Sequence, residues 1–443
     1  MKLIKHIIFA DVDENSKLII NSLNGTIDEV GLLAYETINK WKGTDDIIAS
    51  TDEEAELLEN LQKRGYLVEN EAEEVAQKQK VLGLLRDYYS LDRQKCRHIT
   101  FIMTYDCNFR CPYCFEGEAN ARKNVMSNEM IDSALNLTGN DIESVLLFGG
   151  EPLLPKNKSA IEYIISKLPD VSYEIITNGY YLEEFLDILT TIKLSYMMIT
   201  LDGHKESHDS RRFLANNKPT YDKILNGITK CLENGLNIRI RMNLDYGNFE
   251  EGVDLKKHLL EKFSEYGDLL SFEMSPMLGD ADETRNKITS EMFCDSVEHE
   301  QKERLRQNRI LGSLNPIINS LTVGIPIRPL YSFCYAHENK IVVDPYGNIF
   351  TCLLTVGEDN LASGKYHPTV EFKENSIYNR NIDKIPECRE CIYSLLCGGG
   401  CAMRIPDKSD VFKPVCSSIK NQIHNLLPQL YRIEKEHRNE VSL

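Results

Sequence analysis

Several features that would place this chain at a membrane or on nucleic acid are missing from its 443 residues. Every apolar run is shorter than the roughly 18 residues that a membrane-spanning helix needs. The formal net charge of −17 at pH 7 opposes binding to a phosphate backbone or to an anionic membrane surface. No signal-peptide cleavage pattern follows the first apolar residues. We therefore expect a cytoplasmic protein that binds neither nucleic acid nor membrane.

Cysteine, in contrast, is abundant, with 13 residues in the chain. Cytoplasmic thiols are kept reduced, so this number favours metal ligation or redox chemistry over disulfides. Cys96, Cys231 and Cys294 lie among apolar or helical neighbours, and we predict that they only pack. The other ten fall into patterned groups: Cys107, Cys111, Cys114, Cys334, Cys352, Cys388, Cys391, Cys397, Cys401 and Cys416.

The sequence pattern predicts three domains, over residues 1–95, 96–315 and 316–443. The first carries two short apolar runs around a polar turn, which indicates a hairpin, and then two helical stretches and a returning strand. Thr51–Glu54 is a capping box that predicts a helix start. This order is typical of a small winged-helix domain, and an ordinary capping domain is the alternative.

Residues 96–315 alternate apolar runs with segments long enough for crossover helices. This repetition predicts an α/β fold whose parallel sheet is buried on both faces. Six such units form either a partial (β/α)6 barrel or an open doubly wound sheet, and both carry their site at the carboxyl ends of the strands. The six runs are residues 99–104, 144–148, 173–177, 196–201, 238–244 and 270–274.

Polar or glycine residues follow four successive predicted strands. The cysteine triad of Cys107, Cys111 and Cys114 follows the first strand, and residues 149–152, with the sequence GGEP, follow the second. Asn-Gly and Asp-Gly follow the third and fourth. Each of these short motifs alone could be an ordinary turn. Because all four share one position relative to their strands, they predict a single site at one edge of the sheet.

The triad offers three closely spaced thiols without a fourth, since the next cysteine is Cys231. A structural zinc site needs four ligands. Three thiolates instead suit a [4Fe-4S] cube, of which they hold three irons and leave the fourth open. An open metal position at a strand end is typical of a catalytic centre.

The spacing C-x3-C-x2-C, with Tyr113 before the last cysteine, resembles the signature of the radical S-adenosylmethionine (SAM) superfamily. Residues 149–152 after the next strand strengthen the resemblance. It implies that SAM chelates the open iron of a [4Fe-4S] cluster and is cleaved to a 5′-deoxyadenosyl radical that abstracts hydrogen from a substrate. It also implies an electron donor of the flavodoxin or ferredoxin type and sensitivity to oxygen.

The same resemblance implies which residues contact SAM. Backbone carbonyls and the glutamate of the GGEP motif would meet the SAM amino group, and glycine lets a backbone approach a ligand closely. Thr200 and Asn178 would face the ribose. Arg212 would pair with the SAM carboxylate, with a surface salt bridge as the alternative. The implied contacts are Gly149, Gly150, Glu151, Pro152, Asn178, Thr200 and Arg212.

The seven cysteines near the C-terminus resemble the SPASM extension of that superfamily, in its full order. The resemblance implies two auxiliary [4Fe-4S] clusters, and hence three clusters in all. One would be held by Cys388, Cys391, Cys397 and Cys416, and the other by Cys334, Cys352 and Cys401. Relatives that fully ligate the second cluster carry an extra cysteine shortly before the first of the seven. Residues 325–333 contain none, so this cluster would keep an open iron. A zinc ribbon is the alternative.

SPASM enzymes act on peptides or proteins, and two features favour a maturase of ribosomally made peptides. Residues 1–95 are similar to a PqqD-like recognition domain, which would bind the precursor's leader as an added strand. Leu353 stands where sulfatase-maturing relatives have an aspartate. We therefore predict a thioether between a cysteine sulfur and a carbon of another residue in a precursor peptide.

Other readings remain open. Formylglycine formation, a carbon–carbon cross-link and epimerisation belong to the same class of chemistry. A non-catalytic iron–sulfur electron carrier and a zinc-dependent peptide-binding protein belong to other classes. Neither of the last two explains a triad of thiols at the active edge of a sheet.

Overall fold

The computed structural model describes residues 1–93, 96–139, 141–277, 282–297, 314–334, 339–374, 376–405 and 407–441. The strands in chain order are β1 Lys2–Leu3, β2 Ile7–Asp11, β3 Ser16–Asn21, β4 Ile27–Gly31, β5 Leu67–Val68, β6 His98–Ile102, β7 Ser144–Phe148, β8 Ser172–Thr177, β9 Lys193–Thr200, β10 Ile238–Leu244, β11 Leu270–Pro276, β12 Lys340–Val343, β13 Asn348–Phe350, β14 Gly364–Lys365 and β15 Glu371–Phe372.

The α-helices in chain order are α1 Leu32–Trp41, α2 Asp52–Lys63, α3 Glu71–Arg93, α4 Asn128–Thr138, α5 Lys158–Lys167, α6 Leu186–Leu189, α7 Lys205–Arg211, α8 Tyr221–Glu233, α9 Phe249–Lys262, α10 Asp282–Val297, α11 Asn315–Val323, α12 Ser394–Cys397, α13 Ser417–Asn421 and α14 Leu427–Val441. A π-helical turn, Gln422–Leu426, joins the last two. Among the described residues, none of these helices has the length and apolarity that crossing a bilayer requires.

The six predicted strands are confirmed as β6 to β11, which pair in parallel in the order of the chain. A doubly wound sheet reverses its strand order at a switch point, whereas a (β/α) barrel keeps sequential order. The observed order is therefore that of the barrel type. Within the described residues β11 pairs only with β10, so the barrel is partial.

Burial along the strands explains part of this arrangement and corrects one expectation. β6 and β7 are buried on both faces, as their continuous apolar runs predict. β10 and β11 instead alternate between buried and half-buried residues. Their second face carries Arg239, Arg241 and Glu273, so the prediction that both faces are apolar throughout the sheet is wrong for these two strands.

The C-terminal part of the chain extends the same sheet. β12 pairs in parallel with β6, placing Val342 opposite Thr100. β13, β14 and β15 then follow in antiparallel order. β12 and β13 pair in antiparallel order and form a hairpin around Gly347. A Cβ at Gly347 would lie 2.3 Å from the carbonyl oxygen of His367, so only glycine fits this turn.

The N-terminal residues form a three-stranded antiparallel sheet, β2-β3-β4, and a short pair, β1-β5. The predicted hairpin is therefore confirmed. One face of this sheet packs with Ile38 and Trp41 of α1. Its other face, with Ile8 and Ile20, shares a core with the C-terminal helices, including Leu427. The N-terminal sheet is consequently packed between its own helices and those at the end of the chain.

Candidate functional site

The cysteine triad lies in the loop that connects β6 to α4. The backbone N–H of Phe109 donates to the Cys107 sulfur at 3.4 Å, and that of Cys114 donates to the Cys111 carbonyl at 3.1 Å. Burial raises the pKa of all three thiols. Ionisation of Cys111 or Cys114 would raise the pKa of Cys107 further. A bound cation would therefore be needed to hold the triad as thiolates.

The GGEP segment after β7 packs directly against the loop that carries the triad. The N–H of Gly150 donates to the carbonyl of Thr104, and the N–H of Glu151 donates to the carbonyl of Asp106, both at 2.9 Å. A Cβ on Gly150 would lie 2.3 Å from the Tyr105 carbonyl oxygen. Close contact between two protein loops thus explains this glycine, and the approach to a ligand inferred from the sequence stays a prediction.

The carboxylate of Glu151 is buried and joins the ends of β7 and β8. It accepts hydrogen bonds from the Thr177 hydroxyl at 2.6 Å, the Asn178 N–H at 2.7 Å and the Leu153 N–H at 2.8 Å. Burial raises the pKa of Glu151 to about 7. The carbonyl of Pro152 accepts from the Asn157 amide at 2.9 Å. Glu151 and Pro152 therefore fix, through these hydrogen bonds, the backbone of the segments that follow β7 and β8.

Asn178 brings the end of β8 to the triad. Its side-chain Nδ2 donates to the Asn108 Oδ1 at 2.8 Å and lies 3.8 Å from the Cys107 sulfur. The Glu151 carboxylate anchors the Asn178 backbone from the other side. The predicted site residues on β7 and β8 thus meet the first cysteine of the triad.

Arg212 lies beside the other end of the same loop. Its Nη1 donates to the hydroxyl of Tyr113 at 3.0 Å, and its guanidinium lies 5.6 Å from the ring centre of Phe109. Arg212 is only 8% exposed, so the surface salt bridge considered as its alternative is wrong. Burial by itself lowers the pKa of Arg212. The neighbouring Tyr113, Cys111 and Asp202 raise it by more, so the net pKa lies above the ordinary value for arginine.

Thr200 is the last residue of β9 and is buried. Two residues later, Asp202 is fully buried, accepts from the Tyr113 hydroxyl, and accepts from the Asn243 N–H at 2.9 Å. Sequence reasoning placed the Asp202-Gly203 pair at the predicted site but gave Asp202 no role of its own. The position of Asp202 just after a predicted strand was the sequence signal for a role in the site. Its hydrogen bond with Tyr113 joins residues that are far apart in the chain and could not be predicted from the sequence.

A second carboxyl near the triad had no assigned role. Glu116, two residues after Cys114, is 4% exposed, and burial raises its pKa to about 8. Among the described residues its Oε1 has no hydrogen-bond partner, and neither do Asn108 Nδ2 and Arg212 Nε. Buried polar atoms normally find partners in protein, water or ligand. Three such atoms around one loop fit a site that takes a polar ligand.

The four cysteines of one predicted set lie near one another, and in the other set Cys352 lies near Cys401; the membership of Cys334 in that second set stays a prediction. Burial raises the pKa of Cys388 to about 12, and ionised Cys397, Cys391 and Cys416 are near enough to raise it further. Burial also raises the pKa of Cys352, and ionised Cys401 is near enough to raise it further. Cys334 and Cys401 also lie close enough to act on a buried arginine, Arg380.

The arrangement differs from that of a single metal ion. Among the described residues, no three His, Cys, Asp or Glu side chains converge as one ion requires. Each thiolate of a [4Fe-4S] cube binds a different iron, so its ligands surround a volume instead of meeting at a point. The cubes and the zinc ribbon considered as their alternative both stay predictions for these cysteine sets.

The three cysteines predicted to pack occupy different environments. Cys231 is fully buried in the core on α8, which confirms its role. Cys96 is half-buried and contacts the same core. Cys294 is half-buried on α10.

Comparison with known proteins matches this geometry. Residues 101–260 match the model of the Radical SAM superfamily. The antilisterial bacteriocin subtilosin biosynthesis protein AlbA of Bacillus subtilis (strain 168) is 24% identical over 342 residues, which are 73% of this chain and 71% of AlbA. A GTP 3′,8-cyclase of Clostridium perfringens (strain 13 / Type A) is 28% identical over 270 residues, which are 58% of this chain and 80% of the cyclase.

Two solved structures share the fold. Native anSMEcpe with bound AdoMet aligns with a TM-score of 0.56 at 18% identity, over 76% of this chain and 99% of that one. Streptococcus suis SuiB bound to precursor peptide SuiA aligns with a TM-score of 0.52 at 14% identity, over 94% of this chain and 99% of SuiB. At these identities the likeness establishes the α/β fold with its large, mostly parallel sheet.

Proposed function

We propose that this chain, a radical SAM enzyme whose superfamily domain covers residues 101–260, installs a thioether cross-link in a ribosomally synthesised precursor peptide. AlbA, named for the biosynthesis of a bacteriocin, and SuiB, solved with its precursor peptide, support a peptide as substrate. The observation that carries the proposal is the triad of buried thiols at the carboxyl end of β6, with Asn178 at one end and Arg212 at the other.

The residues of the triad loop would divide the work of holding cluster and cosubstrate. Cys107, Cys111 and Cys114 would bind three irons and leave the fourth to SAM. When bound, the cluster and SAM together supply a 5′-deoxyadenosyl radical. Arg212 would pair with the SAM carboxylate, since its guanidinium is buried and its Nε lacks a partner.

The remaining predicted contacts surround the same edge of the sheet. Backbone carbonyls of Gly149, Gly150 and Pro152 would face the SAM amino group, and Asn178 and Thr200 would face the ribose. Glu151 already holds three hydrogen bonds within the protein, so we assign it to positioning Asn178 as well as to the amino group.

The C-terminal cysteines would hold two auxiliary clusters. One open iron in the set of Cys334, Cys352 and Cys401 would bind the thiolate of a substrate cysteine and bring its sulfur to the acceptor carbon. Leu353, directly after Cys352, offers no carboxylate base, which disfavours formylglycine chemistry. The missing cysteine in residues 325–333 favours the open iron.

The N-terminal domain, residues 1–95, would bind the leader. Within the described residues β4 forms one border of its sheet, and a strand at a border offers unpaired backbone groups to an extended peptide. Leu33, at the start of the neighbouring α1, is 75% exposed and would add an apolar contact. Residues 96–315 and 316–443 would form the barrel and the auxiliary-cluster domain. A flavodoxin or ferredoxin would supply the electron.

The test uses anaerobically reconstituted enzyme, SAM, a reductant and a cysteine-containing precursor peptide with its leader. We expect a product lighter by two hydrogens in which the cross-linked cysteine no longer reacts with iodoacetamide. A product of that mass with a free thiol would indicate a carbon–carbon cross-link and would contradict the thioether. A peptide without its leader is the control and should react poorly.

Simpler measurements distinguish the proposed enzyme from an electron carrier and from a zinc-dependent peptide-binding protein. An electron carrier would form no 5′-deoxyadenosine when SAM and reductant are added. A zinc protein would contain zinc and no sulfide, whereas three cubes require about twelve irons with matching sulfide.

A further inference from the structure

The guanidinium of Arg380 is buried where the C-terminal loops meet, and the residue is 1% exposed. Its Nε donates to the Val411 carbonyl at 2.8 Å and its Nη1 to the Gly400 carbonyl at 2.7 Å. Its Nη2 donates to the carbonyls of Gly399 at 2.6 Å and Lys413 at 2.8 Å. All of these partners are neutral backbone groups.

The residues that accept these hydrogen bonds lie close in sequence to three of the predicted iron ligands. Two of the three, Cys397 and Cys416, belong to one predicted set, and Cys401 belongs to the other. Gly399 and Gly400 lie between Cys397 and Cys401, and residues 411–413 lead to Cys416. On the other side, the Ser332 hydroxyl donates to the Arg380 carbonyl at 3.2 Å, two residues before Cys334. One side chain and its own backbone thus connect the segments that carry Cys334, Cys397, Cys401 and Cys416.

The environment of Gly399 shows how tightly the guanidinium is enclosed. Gly399 has a φ of +85°, and a Cβ at this position would lie 3.3 Å from Arg380 Nη1. Glycine therefore allows the loop to turn and its carbonyl to face the cation. The loop and Arg380 form one packed unit.

Arg380 lacks an acidic partner. In the part of the chain that the structure describes, no carboxylate lies within ion-pair distance of its guanidinium, although ion pairs are found for many other arginines. A buried charge without a counter-charge is strongly unfavourable. Some other group must therefore supply negative charge when the protein is in its functional state.

The charged neighbours that Arg380 can acquire are thiols. Gly399 and Gly400, whose carbonyls accept from the guanidinium, lie between Cys397 and Cys401. Ser332, whose hydroxyl donates to the Arg380 carbonyl, lies two residues before Cys334. Iron binding would turn these thiols into thiolates and so create the missing counter-charge.

We infer that Arg380 is the counter-cation shared by both C-terminal iron–sulfur clusters and the residue that positions their loops. This inference rests on the auxiliary clusters of the proposed function. A fixed positive charge stabilises the more negative, reduced state of a nearby cluster and so raises its reduction potential. Arg380 would accordingly keep both clusters easier to reduce than clusters bound by cysteines alone.

The test compares Arg380→Lys with Arg380→Gln in the full, anaerobically reconstituted chain. Both variants lose the guanidinium fork, but only the first keeps a positive charge. Iron and sulfide are counted, and midpoint potentials are measured by electron paramagnetic resonance during redox titration. The cluster whose signal changes on addition of SAM serves as an internal reference. Arg389→Gln is the matched control, because Arg389 is exposed and directly follows Cys388.

We expect Arg380→Gln to shift the potentials of the two SAM-insensitive clusters to more negative values, or to lose those clusters. Arg380→Lys should lose some iron, because one ammonium cannot replace the whole hydrogen-bonded fork, but the clusters that it keeps should have potentials near those of the wild type. Arg389→Gln should change neither iron content nor potentials. Equal potentials in the Lys and Gln variants, or complete loss of these clusters from both, would overturn the role of charge. A wild-type chain with only about four irons would overturn the auxiliary clusters themselves. The two failures are therefore distinguishable.

Discussion

The Nη1 atom of Arg212 lies 3.0 Å from the hydroxyl oxygen of Tyr113, a residue 99 positions earlier in the chain. That hydroxyl donates its own proton to the buried carboxylate of Asp202. Tyr113 thus separates a buried cation from a buried anion and lets the guanidinium stay beside Cys111. This relay fixes the position of Arg212, the residue that the proposed function pairs with the SAM carboxylate.

Replacing Tyr113 by Phe should weaken SAM binding about tenfold, which corresponds to roughly 1.4 kcal/mol and is within the range for a hydrogen bond to a charged group. Without the hydroxyl, Arg212 would turn towards Asp202 and away from the ligand. Equilibrium binding of SAM to the anaerobic enzyme measures the effect. Tyr163→Phe, which removes a hydroxyl bonded to Asp132 on a distant helix, should leave the affinity unchanged.

Loss of one triad thiol should remove one whole cluster. We expect Cys107→Ala to contain about four fewer irons than the wild type and to form no 5′-deoxyadenosine. Cys231→Ala is the control, because Cys231 is buried in the core and should cost only about 1 kcal/mol of stability. Iron analysis and chromatography of the SAM products distinguish the Cys107→Ala variant from the Cys231→Ala variant. Equal iron in the Cys107 variant and the wild type would contradict the assignment of the triad.

Gly150→Ala tests the contact between the GGEP segment and the triad loop. The added Cβ would lie 2.3 Å from the Tyr105 carbonyl and 2.5 Å from that of Asp106, so the loop must move. We expect a loss of about 2 kcal/mol in stability and poor iron incorporation. Gly83→Ala on α3, where nothing lies within 4 Å, should be neutral or slightly stabilising. Thermal unfolding and iron content provide the comparison.

Glu151 should make stability depend on pH. Burial raises its pKa to about 7 in the folded chain, whereas an unfolded glutamate titrates near 4.3. The folded state therefore binds more protons between these values, and stability falls by up to about 3 kcal/mol as the pH rises from 4.3 to 7. Above pH 7 this contribution stays constant.

Glu151→Gln removes this titration. We expect the melting temperature of the variant to decline less between pH 5 and pH 7 than that of the wild type, as followed by circular dichroism. Asp132→Asn, at a half-buried helix position where the hydrogen bond from Lys167 lowers the pKa of the carboxyl, is the control and should keep the wild-type slope. Identical slopes in Glu151→Gln and the wild type would show that Glu151 titrates normally in the folded chain.

Local sequence determined much of this fold. Apolar runs placed β6 to β11. Those of β6 and β7 are continuous because both faces of these strands are buried, whereas β10 and β11 need apolar residues only at alternate positions. Thr51 accepts from the Glu54 N–H at 3.2 Å, as the capping box predicted, because a cap depends only on neighbours in the chain. The positions of the cysteine triad and of the GGEP motif at strand ends follow from the same local pattern.

Tertiary structure decided the features that depend on distant partners. No local pattern pairs β12 with β6, covers one face of the N-terminal sheet with Leu427, or encloses Arg380 between loops. The burial of Arg212 had the same origin, since its alternative as a surface ion pair was equally consistent with the sequence. Periodicity reports which face of a segment is apolar, but only the folded chain determines what that face meets and which charges lose their water.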